Sequence, residues 1–187
     1  MQSANAPLSS DLSELEGGVL AIVNSCPGIT AHVMRERFRK SRSSHWSGSA
    51  GAIYPLMKKL FGRELLAAEE TKRGSRTRRT YTITAAGKRE LKRWLGPPLP
   101  TWVASITFDP LRTRMPFLDA LSPAKRLTFL REAETLLADE LRELQRERRE
   151  LTGADGFWEQ MAADGYLATA QARLRWIRKT IEIVEAL

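Results

Sequence analysis

Residue types that most often carry catalytic or metal chemistry are scarce in this chain of 187 residues. It has two histidines, His32 and His45, and a single cysteine, Cys26. Three such residues at irregular spacing do not form the ligand set of a zinc site, and a single cysteine excludes an intramolecular disulfide. Phosphate-binding glycine loops, serine-hydrolase motifs and zinc-protease motifs are also absent from the sequence. We therefore expect no enzymatic activity, no metal and no cofactor.

Cations, in contrast, are concentrated in one short segment. Five of the ten residues in 71–80 are basic: Lys72, Arg73, Arg76, Arg78 and Arg79. Like charges packed this densely repel unless an anion lies beside them, and a basic hairpin is a common way to reach a DNA backbone or minor groove. A solvated loop is the alternative. Residues 1–96 carry 17 Lys and Arg against 8 Asp and Glu, so this half is the one expected to meet a polyanion.

Three helices are predicted ahead of the basic segment, over residues 12–24, 30–38 and 47–61, on the spacing of their apolar residues. Thr30 can cap the second helix, and Pro55 is expected to bend the third. The third helix has the surface that a recognition helix needs, small near the base edges and positive near the phosphates. Its candidate DNA-binding residues are Ser47, Ser49, Ala52, Tyr54, Lys58 and Lys59.

Two short strands are predicted over 65–70 and 78–84, joined by a projecting turn over 71–77. Thr84 can then cap a fourth helix over 85–95. The order helix, helix, helix, strand, basic turn, strand predicts a winged helix-turn-helix, so the fold class is mostly α with a small β-wing.

The proline-rich run from Gly96 to Pro100 predicts a stiff linker. We therefore divide the chain into a DNA-binding domain (1–96), a linker (97–109) and a helical, coiled-coil-like dimerisation domain (110–187). Heptad-like spacing in its two long helices predicts the seam of a homodimer, although packing within one chain would also explain it. The seam residues are Leu130, Leu137, Leu144, Leu167, Leu174, Ile177, Ile181 and Val184.

Two tryptophans near the predicted domain junction, Trp94 and Trp102, are candidates for an effector pocket that takes a planar aromatic compound. Packing in the core or in an interface is the alternative. The longest apolar stretch, residues 19–23, is too short to cross a bilayer, and the polar N-terminus has no secretory signal. We expect a cytoplasmic protein without a membrane partner.

Three segments of the sequence resemble the PadR-like family of winged-helix regulators. Residues 52–60, Ala-Ile-Tyr-Pro-Leu-Met-Lys-Lys-Leu, resemble the recognition-helix signature of the family. Residues 81–87, Tyr-Thr-Ile-Thr-Ala-Ala-Gly, resemble its second wing strand and the start of the next helix, and residues 109–123 resemble its C-terminal domain. Ala31-His32 departs from the Gly-Tyr that members often carry there.

The resemblance implies a homodimer that binds a palindromic operator in double-stranded DNA, usually as a repressor and often released by a small molecule. Two other classes of function compete with this one. A nonspecific architectural DNA-binding protein would bind with little sequence preference, and a winged-helix adaptor would use the same fold for protein contacts.

Overall fold

The computed structural model describes residues 11–73, 76–105, 108–153 and 156–186, with the exception of the side chains of Ser44, Arg73 and Arg76. The chain divides into two compact units, Met1–Ser105 and Ile106–Leu187. The division lies inside residues 97–109, the segment predicted to be a linker. Among the described helices, none combines the length and the apolar character needed to span a membrane.

The first unit has the winged-helix order of helices and strands that the sequence predicts. Its elements are α1 (Glu14–Ser25), α2 (Ala31–Arg39), α3 (Ser44–Gly48), a 3-10 turn (Ala50–Ala52), α4 (Ile53–Gly62), β1 (Leu66–Arg73), β2 (Arg76–Ile83), α5 (Ala85–Leu95) and a second 3-10 turn (Thr101–Ala104). Predicted and observed bounds agree for α5, which Thr84 caps by accepting a hydrogen bond from the Gly87 backbone amide. The predicted fold class is confirmed.

Two adjacent glycines in the middle of α1 allow two tryptophan rings to pack against the helix. A Cβ atom at Gly17 would overlap the indole ring of Trp94, and one at Gly18 would lie 2.7 Å from Trp46. Glycine in a helix interior costs roughly 1 kcal/mol relative to alanine. Here the close approach of the indole rings to the backbone explains why glycine is present.

Gly17→Ala is therefore expected to destabilise the first unit by about 1–3 kcal/mol, the usual cost of overpacking, despite the better helix propensity of alanine. Gly165 in the second unit is a matched control, since it is also helical but a Cβ atom there would meet nothing within 4 Å. Gly165→Ala should raise stability by several tenths of a kcal/mol. Thermal denaturation of the two variants checks the contrast, and a more stable Gly17→Ala protein would contradict it.

The third predicted helix, over 47–61, is interrupted in the structure. Ser43 caps the short helix α3, a 3-10 turn follows, and α4 begins only at Ile53. Pro55 is thus the third residue of α4, where its missing N–H would have had no partner within the helix. The prediction that Pro55 lies inside a long helix and bends it is wrong.

The wing, which is the β1–β2 hairpin, is longer than predicted. Its antiparallel pairing continues from Leu66↔Ile83 through Thr71↔Arg78 to Arg73↔Arg76. Residues 71–73 and 76–77, predicted as turn, are therefore strand; alternating threonines favour this because β-branched side chains suit a pleated surface. The tip, residues 74–75, lies outside the described residues.

The second unit is built on two long helices. Its elements are α6 (Pro110–Arg114), a 3-10 segment (Met115–Ala120), α7 (Pro123–Glu150) and α8 (Phe157–Glu185). Arg148, near the end of α7, pairs with Asp164, near the start of α8. Arg131, nearer the start of α7, pairs with Glu185 at the end of α8. The two helices therefore form an antiparallel hairpin.

The predicted seam residues are mostly buried within this one chain. Leu130, Leu137, Leu174, Ile177 and Ile181 form a common core with Leu111 of α6. Leu144 is also buried, whereas Leu167 and Val184 are half-buried. The heptad-like stripe thus packs largely between α7 and α8 within one chain, and its role as the seam of a homodimer stays a prediction.

Candidate nucleic-acid interface

One face of α4 belongs to the core and the other faces solvent. Ile53, Met57 and Leu60 are completely buried, at the helical spacing that the sequence indicates. Between them Tyr54 and Lys58 are exposed. An α-helix that presents small and basic residues in this way fits the width of a DNA major groove.

The predicted small residues lie at or before the start of the helix. Ala52 is the exposed N-cap residue of α4. Ser47 belongs to α3, and Ser49 caps the end of that helix; both are half-buried. The structure therefore places Tyr54 and Lys58 on α4, Ala52 at its N-cap, and the two serines in α3 and at its end.

The wing carries exposed cations on both faces of its hairpin. Lys72 on β1 and Arg78 on β2 are exposed, and the register places them on opposite faces. The backbones of Arg73 and Arg76 pair with each other, and nothing further is described of these two residues. Lys72 and Arg78 are accordingly the described wing residues best placed for a polyanion.

Arg79, also predicted to contact DNA, is engaged with the protein itself. Its guanidinium lies 4.6 Å from the ring centroid of Phe61 in α4 and 5.5 Å from that of Tyr81. Glu70 on the opposite strand lies 3.8 Å away. Such cation–π contacts stabilise by about 0.5–1 kcal/mol at exposed sites, and here they tie the wing to α4.

Lys59 is likewise paired, in this case with a carboxylate of the first helix, α1. Glu16 of α1 is 2% exposed, and its Oε1 lies 3.0 Å from Lys59 Nζ and 3.3 Å from Arg63 Nη1. Its other oxygen accepts a hydrogen bond from the Ser13 backbone amide at 2.9 Å. Burial raises the pKa of Glu16, but these hydrogen bonds outweigh it and hold the pKa below its ordinary value.

The structure brings both predicted effector residues to one cleft of the first unit, with a volume of about 120 Å³. Trp94 packs over Gly17, and its indole Nε1 donates to Glu14 Oε1 at 3.1 Å. Trp102 is half exposed, at 53%. The cleft is lined by Leu12, Glu14, Arg93, Trp94, Gly96, Pro98, Pro100, Trp102 and Val103. Within the described ranges, no group of three or more His, Cys, Asp or Glu side chains is placed to hold a metal.

Comparison with known proteins finds similarity to one family of regulators. Residues 19–93 match the model of the transcriptional regulator PadR-like family. The negative transcriptional regulator PadR of Bacillus subtilis (strain 168) is 29% identical over 120 residues. Residues 19–93 of this chain therefore resemble the PadR-like family. The match spans 63% of this chain but only 60% of the length of that relative.

Two crystal structures of Bacillus subtilis PadR share the PadR-like fold with this chain. The complex with operator DNA has a TM-score of 0.78 at 20% identity, covering 92% of this chain and 99% of that one. The complex with p-coumaric acid has a TM-score of 0.69 at 18% identity, covering 91% and 95%. At these identities the likeness establishes the fold.

The structure explains two residues of the PadR-like wing motif, residues 81–87. Thr84 Oγ1 donates to the Glu64 carbonyl at 2.7 Å, so the start of α5 is tied to the start of the wing. A Cβ atom at Gly87 would collide with the Leu65 carbonyl. The threonine and the glycine of the motif therefore set the distance between α5 and β1.

Proposed function

We propose that this PadR-like chain is a repressor that binds a palindromic operator as a homodimer, with α4 in the major groove and the wing on the DNA backbone. The observation that carries the proposal is the combination of two exposed surfaces on the first unit. Tyr54 and Lys58 are exposed on α4 and Ala52 is exposed at its N-cap, while Lys72 and Arg78 are exposed on the wing. The first surface suits base edges, and the second suits phosphates.

Repression is supported by the relatives rather than by geometry. The related protein from Bacillus subtilis is a negative transcriptional regulator, and a structure of Bacillus subtilis PadR contains operator DNA. A repressor needs only to occupy its operator, so a chain with a DNA-binding unit and an oligomerisation unit has what this function requires.

A homodimer is supported by the apolar surface of the second unit. Although the heptad-like stripe is buried inside the hairpin, eight large apolar side chains among the described residues of this unit are exposed: Phe108, Phe117, Leu136, Phe157, Trp158, Met161, Tyr166 and Ile183. Large exposed apolar surfaces mark interaction sites in soluble proteins. Leu136 is 70% exposed beside a cavity of about 290 Å³ lined mainly by α6 and α7, a surface that a second subunit would cover.

An electrophoretic shift with the promoter of the chain's own gene tests the proposal against its rivals. A specific repressor shifts this fragment in the presence of excess shuffled competitor. An architectural protein would lose the shift to the shuffled competitor, and an adaptor would give no shift. Sedimentation of the free protein at micromolar concentration should give the mass of a dimer, and a monomer would contradict the proposal.

A small aromatic effector is expected to bind the cleft between Trp94 and Trp102 and to weaken DNA binding. The cleft is smaller than the roughly 300–1,000 Å³ of common ligand pockets, so it suits a single-ring compound. p-Coumaric acid, with which Bacillus subtilis PadR has been crystallised, is the probe of choice. Allosteric coupling is typically about 1–3 kcal/mol, which reduces operator affinity about 5–150-fold.

Tryptophan fluorescence measures this binding, because stacking on an indole quenches its emission. Trp102→Ala should abolish the titration, and it is a better variant than Trp94→Ala, since Trp94 also packs over Gly17. Trp158→Phe is the control, because Trp158 is 77% exposed and belongs to the second unit. Quenching that survives in Trp102→Ala would exclude this cleft as the site.

A further inference from the structure

We propose that Glu16 is a positioning residue of the DNA interface, and that Lys59 serves its ion pair with Glu16 instead of contacting a DNA phosphate. The inference rests on the proposed function and divides the cations of α4 into two roles. Lys58 is assigned to DNA, whereas Lys59 and Arg63 are assigned to holding the helix.

The position of Glu16 makes it a fixed anchor. Its carboxylate is 2% exposed and closes a capping box with Ser13 at the start of α1. Further along the same helix Val19, Leu20 and Val23 are completely buried in the core of the first unit. The backbone of Glu16 is fixed by α1, and its carboxylate is fixed by the capping box. The side chain therefore loses little conformational entropy when it binds a cation, and the positions of its partners are well defined.

Both partners of Glu16 belong to the C-terminal end of α4. Lys59 lies in the last turn of the helix and Arg63 is its C-cap residue, at 3.0 Å and 3.3 Å from the same carboxylate oxygen. The wing side supports this end as well, because Arg79 lies over the ring of Phe61. Contacts from α1 and from the wing thus fix the end of α4 while its start, near Ala52 and Tyr54, stays exposed.

The side chain of Lys59 is 61% exposed, but its ammonium lies 3.0 Å from the buried carboxylate of Glu16 and would have to leave it to reach a phosphate. Separating one partner from a buried charge is costly, because the remaining charge is then poorly solvated. Lys58, its neighbour on the helix, is exposed on the side of Tyr54. The adjacent lysines therefore provide a matched pair in which charge and helix are constant and only the role differs.

The test is the salt dependence of operator binding, measured with the full-length protein and an operator-containing promoter fragment. Lys58→Ala should reduce the slope of log K against log salt by about 0.9, the value of one phosphate contact. Lys59→Ala should leave the slope unchanged and weaken binding about fivefold at every salt concentration, within the range of coupling between contacting side chains. Lys59→Arg, which keeps the ion pair, should restore the affinity.

Glu16→Gln should change the affinity for DNA in opposite directions for the two possible roles of this carboxylate. If Glu16 were only a negative charge near DNA, removing it would strengthen binding, as we expect for the exposed control Glu69→Gln. As a positioning residue, its loss should weaken binding about fivefold instead. Glutamine can still accept the hydrogen bond of the capping box, and circular dichroism checks that the variant is folded.

Two results would overturn the inference: a slope for Lys59→Ala that falls as it does for Lys58→Ala, or unchanged or tighter binding by folded Glu16→Gln. If Glu16→Gln does not fold, the comparison of the two lysine variants decides alone. Failure of the proposed function is seen separately, because the wild-type protein would then give no specific shift.

Discussion

Replacing Lys58 and Arg78 together by alanine should lower operator affinity about 60-fold at 0.1 M salt and reduce the log–log salt slope by about 1.8. Each lost phosphate contact removes about 0.9 from the slope, which corresponds to roughly eightfold in affinity at this salt concentration. Lys58 is exposed on α4 and Arg78 on β2, so the variant removes one contact from each half of the interface. Fluorescence anisotropy of a labelled operator between 0.05 and 0.2 M salt measures both quantities.

Lys125→Ala with Arg149→Ala is the matched control. Both residues are exposed on α7 in the second unit, and their loss changes the net charge by the same amount. If the control lowers the log–log salt slope as strongly as the test variant, the attraction to DNA comes from the overall charge of the protein and not from α4 and the wing. A test variant with the wild-type slope would show that α4 and the wing do not meet the phosphates.

Ile177→Ala is expected to destabilise the hairpin of α7 and α8 by about 2–5 kcal/mol. Ile177 is 0% exposed and belongs to a core shared by α6, α7 and α8, so its truncation leaves a cavity and removes apolar contacts. Amide hydrogen exchange followed by mass spectrometry reports on each unit separately, and the loss of protection should be confined to residues 108–186.

Leu136→Ala provides the contrast, since Leu136 is on the same hairpin but 70% exposed. It should leave the exchange of α7 and α8 in the monomer unchanged and weaken self-association. If Ile177→Ala keeps wild-type protection and only separates the subunits, the apolar stripe is a dimer seam and our account of the hairpin core is wrong. The same reasoning predicts that Leu174→Asp or Ile181→Asp unfolds the hairpin as well as disturbing any dimer.

Local features of this fold are readable from the sequence because their causes are local. Thr30, Thr84 and Ser122 each precede a helix and accept a hydrogen bond from a backbone amide three residues later. The capping box of Ser13 and Glu16 has the same short-range origin. Start positions of helices therefore follow from residue type and spacing.

Two elements show where local patterns are ambiguous. A proline at 55 is compatible both with a bent long helix and with the first turn of a new one, and only the break after Gly48 distinguishes them. A stripe of leucines and isoleucines every three or four residues arises whenever one helix packs along another. Such a stripe does not specify whether the partner helix belongs to the same chain or to a second subunit.

The roles of individual cations depend on contacts between distant parts of the chain. Glu16 and Lys59 are separated by more than forty residues, and neither their spacing nor their types indicate that they meet. In the sequence Arg79 is indistinguishable from the other wing cations, and only the structure shows that its guanidinium lies over the ring of Phe61. The sequence could therefore identify a basic surface, while the structure was needed to show which of its exposed cations are also paired with other parts of the fold.

Selection from a random duplex library tests most directly the central claim that a dimer of this chain reads DNA through α4. The wild-type protein should enrich an inverted repeat whose half-sites are centred roughly 34–36 Å apart or a multiple of this distance, as two symmetry-related recognition helices require. Substituting Ala52 or Tyr54 should change the enriched half-site, because the proposed function assigns these side chains to the base edges. Enrichment of no sequence, or of one that is identical in these variants, would contradict the account.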